Sequence, residues 1–172
     1  MDYKFKRFYI HRENQKIPNG TSGIFEYMLH HGGVIILAIY NNKIAMIREY
    51  RPSIKRYIYE LPAGTLEKDE APSERARKEL MEETGLIVDS KNLQFLFKSY
   101  PSVGVSNEMQ YFYLAFPEKK HAQRLERHEV IKVEFITLDK AIKMIKDNRI
   151  VNGPMIQAVL FYKEFIAKNR DK

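Results

Sequence analysis

The chain has no cysteine and no tryptophan among its 172 residues. Without thiols it can form neither disulfides nor thiolate metal centres, so any bound metal must be held by oxygen or imidazole and is expected to be a hard ion. Long apolar runs are also missing. The longest, Val34 to Tyr40, is far too short to span a bilayer. Residues Met1 to Arg7 mix charges with aromatics and contain no apolar core of a signal peptide. A cytoplasmic location is therefore expected, with no membrane partner. There is no repeat and no low-complexity stretch.

What is present is enough for one compact domain over residues 1–172, with 44% apolar and 12% aromatic residues. The net charge of +7 reads either as attraction to polyanions such as nucleotides or RNA, or as an ordinary lysine-rich solvated surface. It is spread along the chain in no single dense tract, so charge does not choose between these readings.

Alternation of apolar and polar positions over residues 3–12 and 23–30, around Asn19-Gly20, predicts an N-terminal β-hairpin. Val34–Tyr40 and Lys43–Arg48 flank Asn41-Asn42 as a second, tighter hairpin. Strands are expected at Tyr57–Leu61, Leu93–Tyr100, Met109–Phe116 and Val130–Ile136. Pro72 suits a first helical turn and Gly85 the cap of that helix; Leu138–Lys146 and Pro154–Lys168 have helical spacing. The expected fold class is α+β, an α/β/α sandwich with a mixed sheet and flanking helices.

One segment carries chemistry. Between Gly64 and Leu86, Glu79, Glu82 and Glu83 are separated by three and four residues, so a helix puts all three carboxylates on one face. Like charges so placed repel, and a divalent cation is the natural offset. The alternative is a solvated glutamate-rich helix. The segment resembles the Nudix box, G-x5-E-x7-R-E-U-x-E-E-x-G-U with U a bulky aliphatic, through Gly64, Glu70, Glu79, Leu80, Glu82, Glu83, Gly85 and Leu86. At roughly 7% usage per residue type, six such identities arise by chance on the order of once in ten million positions. Lys78 departs from the box, which has arginine there to orient the catalytic glutamates. A lysine supplies charge without the planar fork, and Arg77 is turned about 100° away on a helix.

The resemblance implies a Nudix fold and a Mg²⁺-dependent pyrophosphohydrolase, Mn²⁺ being a possible substitute. It implies metal ligation by Glu79, Glu82, Glu83 and the Ala63 carbonyl, catalytic roles for Glu82 and Glu83, a part for Lys78 at the motif position, and a loop-holding role for Glu70. The flanks Ile47-Arg48-Glu49-Tyr50-Arg51-Pro52 and Tyr59-Glu60-Leu61-Pro62-Ala63-Gly64, with Pro101 sixteen residues past Gly85, are similar to the ADP-ribose pyrophosphatase subfamily. Glu49 stands where glutamine is frequent there, and Val103 where proline is. By this likeness Arg51, Glu60 and Pro101 are substrate-binding candidates and Glu108 a general base or extra metal contact on a loop. Each has a plainer reading: a salt bridge of Arg51 with Glu49 or Glu60, and a solvent-facing Glu108. The implied substrate is a nucleoside diphosphate derivative, ADP-ribose first, with GDP-mannose, another nucleotide sugar or NADH as alternatives. A non-catalytic nucleotide- or RNA-binding module is the reading from a different class; nucleic acid is otherwise not an expected partner. The resemblance further implies a homodimer with residues 1–30 as a dimerisation arm, in which Phe5, Phe8, Tyr9, Phe25 and Tyr27 supply apolar surface; packing of that surface onto the chain's own sheet is the alternative. The histidines His11, His30, His31, His121 and His128 have no metal-ligand spacing and read as surface or packing residues.

Overall fold

A computed structural model describes residues 3–4, 8–125, 127 and 129–169. The N-terminal unit is a three-stranded antiparallel sheet of β1 (Tyr3–Lys4), β2 (Phe8–Lys16) and β3 (Ser22–His30). The turn around Asn19-Gly20 is where the sequence places it, with Gly20 at φ 87° and its N–H donating to the Ile17 carbonyl. Residues 3–12 are not one strand, however. Tyr3 and Lys4 form a separate strand, antiparallel to β2 and paired with Ile10 and Tyr9. No glycine or proline separates the two strands in sequence, and simple alternation runs straight through. Phe5, invoked for the dimerisation arm, lies outside the described residues, as does His128.

The main sheet runs β12-β5-β4-β10-β9, with β4 (Gly33–Tyr40), β5 (Lys43–Arg51), β9 (Leu93–Ser99), β10 (Gln110–Ala115) and β12 (Ile131–Ile136). β10 is parallel to β4 and every other pairing is antiparallel. Asn41 and Asn42 both take left-handed φ, 50° and 58°, which is what a two-residue hairpin turn demands and asparagine tolerates. β4 is buried on both faces. Val34, Ile36 and Ala38 pack toward helix α1 (Pro72–Thr84), while Ile35 and Leu37 pack toward α2 (Leu138–Lys146) and α3 (Gly153–Phe161). That alternation makes the three layers and confirms the α+β sandwich. The last helix is shorter than its periodicity suggests: after Phe161 the chain widens into a π turn over Tyr162–Ile166 and ends in a 3₁₀ turn. Among the described residues no helix is long and apolar enough to cross a membrane.

Two short strands, β6 (Arg56–Glu60) and β7 (Ala63–Thr65), decide where function sits. β4 and β5 pair only through residues 38–40 and 43–45. Beyond that point they part; β5 pairs with β6 and β4 with β7. The β6–β7 link fills the fork, its Pro62 carbonyl accepting from Ile36 N–H at 2.9 Å. A small sheet of β8 (Leu86–Ile87) and β11 (Lys119–Lys120) straps the end of α1.

Candidate active site

Helix α1 brings its glutamates into the fork because its buried stripe is not wholly apolar. Ala76, Leu80 and Thr84 face the sheet together with Glu79 and Glu83, which are only 6% and 4% exposed. Pro72 sits in the first turn, and Gly85 ends the helix at φ 74°, its N–H donating to the Met81 carbonyl. The later chain then wraps this end. His121 N–H reaches the Gly85 carbonyl, Arg124 N–H the Glu82 carbonyl, and the Gln123 side-chain amide the Glu83 carbonyl. Three carbonyls at the helix end are thereby satisfied.

Inside the fork the Ala63 N–H donates to Glu83 Oε2 at 2.9 Å. Gly64 lies against Glu79 so closely that a Cβ there would overlap the carboxylate. Burial raises the Glu79 carboxyl to about 7; Arg75 opposes the shift, and Glu82 and Glu129 add to it. Glu83 is raised well above the usual range, first by burial and then by the charge of Glu79, with Glu49 and Glu129 contributing. Glu82 is half-buried beside them.

Where β5 pairs with β6, Arg51 places Nε and Nη2 on the two oxygens of Glu60, at 2.9 and 2.5 Å, and Nη1 on Glu49 at 3.0 Å. The guanidinium is held still more firmly protonated by that Glu60 bond, with the Glu49 and Glu83 charges adding. Arg51 and Glu60 therefore form the fork-to-fork pair that the plainer reading proposed, yet the pair sits within the field of Glu83 rather than out on the surface. Glu108 also comes to the site. A Cβ on Gly33 would stand 3.0 Å from the Gly64 carbonyl oxygen and 4.0 Å from Glu108 Oε1, so both flank one glycine. The Glu108 carboxylate accepts from Gln110 Nε2 at 3.0 Å. Pro101 stands exposed at the head of the loop that carries Glu108.

Lys78 is placed on Glu70: its ammonium pairs with that carboxylate at 2.5 Å, and the side chain is more than half exposed. This keeps Glu70 in its loop-holding place and draws its carboxyl below the ordinary value. The side chain that reaches Glu79 is Arg75, one helical turn earlier, which the sequence reading passed over. Arg77 points elsewhere, to the Val88 carbonyl and Glu74, as its position on the helix requires. Glu129 was missed as well. It sits two residues before β12, and its charge is felt by both Glu79 and Glu83. Register could have found it, since Ile131 pairs with Glu49 beside the site.

A divalent cation fits this donor set. Among the described residues no three carboxylates or imidazoles are already gathered into a cage. Two buried carboxylates one turn apart, each pushed toward protonation by burial, nevertheless make a pair that a hard cation would relieve. Three of the described histidines have partners of their own. His30 Nδ1 accepts from Gly32 N–H at 3.0 Å, His31 packs edge-on to Tyr9, and His11 lies on Tyr27 and 3.5 Å from Glu13.

The NUDIX domain pattern matches residues 29–159. The chain belongs to the Nudix family. It is similar to the methanol dehydrogenase activator of Bacillus methanolicus, 35% identical over 87% of this chain and 81% of that protein. The ADP-ribose pyrophosphatase of Bacillus subtilis is 31% identical over 88% and 83%. The GDP-mannose pyrophosphatase of Yersinia pestis is 32% identical over 85% and 79%. A crystal structure of an ADP compounds hydrolase superposes with a TM-score of 0.82 at 19% identity, covering 97% of this chain and 90% of that one, and so shares the Nudix fold. This Nudix protein is a pyrophosphohydrolase, an enzyme rather than a bare binding module.

Proposed function

We propose that the enzyme hydrolyses ADP-ribose to AMP and ribose 5-phosphate with Mg²⁺, for which Mn²⁺ can substitute. The observation that carries this reading is the buried Glu79–Glu83 pair, with the Arg51–Glu60 pair within the field of Glu83. Glu79, Glu82, Glu83 and the Ala63 carbonyl would hold the cation. When bound, it supplies neutralisation of the diphosphate and polarisation of a phosphoryl oxygen.

The chain's own residues do the rest. Arg51, fixed by Glu60 and Glu49, presents a planar cation to the diphosphate without having to be ordered during binding. Glu108, on the loop beside Gly33, would take a proton from the attacking water, and Glu129, whose charge is felt by Glu79 and Glu83, is a second candidate. Ala63 N–H keeps Glu83 aimed into the fork. A cleft of about 350 Å³, lined by Phe25, Tyr27, Tyr100 and Val103 together with Ser106 and Asn107, opens beside the loop of Glu108. Its mixture of aromatic faces and amide groups suits a nucleoside. ADP-ribose is favoured over other diphosphates by the ADP-ribose pyrophosphatases among the relatives, in Bacillus subtilis and Mycobacterium tuberculosis. The GDP-mannose pyrophosphatase relatives support the second reading, a GDP-sugar. A homodimer built on the N-terminal strands, working in the cytoplasm, completes the proposal.

The deciding experiment is a panel of ADP-ribose, GDP-mannose and NADH with Mg²⁺, products resolved by chromatography. AMP and ribose 5-phosphate from ADP-ribose at the highest kcat/KM are expected. A hundredfold preference for GDP-mannose would transfer the assignment to the second reading.

A further inference from the structure

We infer that Arg75 is a positioning residue that orients Glu79 for cation binding, the task that the Nudix box gives to the residue occupied here by Lys78. The inference rests on Glu79 being a cation ligand.

Three observations lead to it. Arg75 Nη2 contacts Glu79 Oε1 directly, while Nη1 lies 3.8 Å from Glu67 and Nε 4.0 Å from Glu70 Oε2. The guanidinium thus spans from Glu67 and Glu70, in the loop before the helix, to Glu79 on it. Second, this side chain is largely buried, at 18% exposure, and its Nε is enclosed with no hydrogen-bond partner among the described residues. An enclosed donor that gives up one hydrogen bond is a cost that simple surface stabilisation would not sustain. Third, the charge order is wrong for helix stability. A cation in the first turns of a helix opposes the dipole, and an arginine four residues before a glutamate is the weaker of the two orders. The pair is explained by what it does to Glu79.

Lys78 could not do this from where it stands. It is committed to Glu70, and an ammonium lacks the fixed fork that touches two carboxylates while holding its own plane. With Gly64 closing one side of the Glu79 carboxylate and Arg75 taking one oxygen, the other oxygen is left to the cation.

The test compares wild type with Arg75→Ala, Arg75→Lys, Lys78→Ala and Glu79→Gln. Mn²⁺ affinity is read by electron paramagnetic resonance without substrate, alongside kcat and KM with Mg²⁺ and the unfolding midpoint in EDTA. Arg75→Ala is expected to weaken Mn²⁺ binding and lower kcat by about 10- to 100-fold, as loss of a ligand's supporting partner does. KM should change little. Arg75→Lys, which keeps the charge and the aliphatic stem, should recover only part of the loss. Wild-type Mn²⁺ affinity and kcat in either Arg75 variant overturn the inference, whatever happens to the midpoint, and so does a larger effect from Lys78→Ala. Should Arg75→Ala not fold, the lysine variant still decides. Unchanged Mn²⁺ binding in Glu79→Gln would instead remove the ligand reading on which the inference stands.

Discussion

The carboxylate of Glu79 occupies the space in which a side chain on Gly64 would begin. Gly64 is thus needed for room rather than for an unusual backbone angle. Gly64→Ala has to displace either the β7 backbone or the glutamate. Crowding of this kind typically costs about 1–3 kcal/mol. We expect a folded protein by circular dichroism, a lowered unfolding midpoint, and kcat reduced by roughly two orders of magnitude, since misplacing a site by about 1 Å can cost that much. Turnover equal to wild type would show that Glu79 is not the group that matters.

Glu83 carries the opposite signature, stability given up for function. Its folded-state carboxyl is raised above the unfolded value of 4.5, so ionisation destabilises the cation-free fold at pH values above the folded one, and that penalty fades as pH falls toward 4.5. Glu83→Gln keeps an acceptor for the Ala63 N–H and removes the charge. In EDTA at pH 8 the variant should melt above wild type, with the gap closing toward pH 5, while Mg²⁺-dependent turnover is lost. A wild type that outlasts the variant at pH 8 in EDTA would contradict the burial argument.

Arg51 is predicted to be structural and functional at once. Its removal strands the Glu60 carboxylate, whose side chain is 5% exposed. Breaking one side of a buried pair typically costs about 3–5 kcal/mol, to be reduced here because Arg51 itself is about a third exposed. Arg51→Ala should therefore unfold earlier in urea. Arg51→Lys should recover much of that stability yet leave KM for the diphosphate raised, because the fork is gone. Full recovery of both by lysine would reduce Arg51 to a point charge.

Asn107 ties the loop of Glu108 to the N-terminal sheet: its Oδ1 accepts from His30 N–H at 2.7 Å, and its N–H reaches the Met28 carbonyl at 3.2 Å. Asn107→Ala is expected to speed amide exchange at His30 and raise KM, with the unfolding free energy lowered by only about 1 kcal/mol, the worth of one hydrogen bond. Unchanged exchange at His30 would show that the amide side chain does not hold the loop.

Much of this was legible in the sequence because the cues were local. Asn41-Asn42 announced its turn by residue type, Pro72 and Gly85 bracketed α1, and the spacing of Glu79, Glu82 and Glu83 set their common face. The separation of β1 from β2 and the widening after Phe161 carry no glycine or proline, so nothing in the pattern betrays them. Arg75 was hidden for another reason. Its reach to Glu79 is an i to i+4 relation readable from spacing, but the sequence shows an arginine among many charges and not which one is buried. Glu129 depends on the pairing of β12 with β5, a non-local register. The fork itself required two strands to part and a third segment to fill the gap, which no local signal encodes.

The bond between Met28 N–H and the Val105 carbonyl, at 2.8 Å, and its neighbours at Asn107 splice the outer sheet to the loop of Glu108. Seventy-odd residues apart in the chain, the two are tied by three hydrogen bonds. A second copy or another protein that grips the outer strands would therefore touch the same strand that holds residues 105–107, next to Glu108.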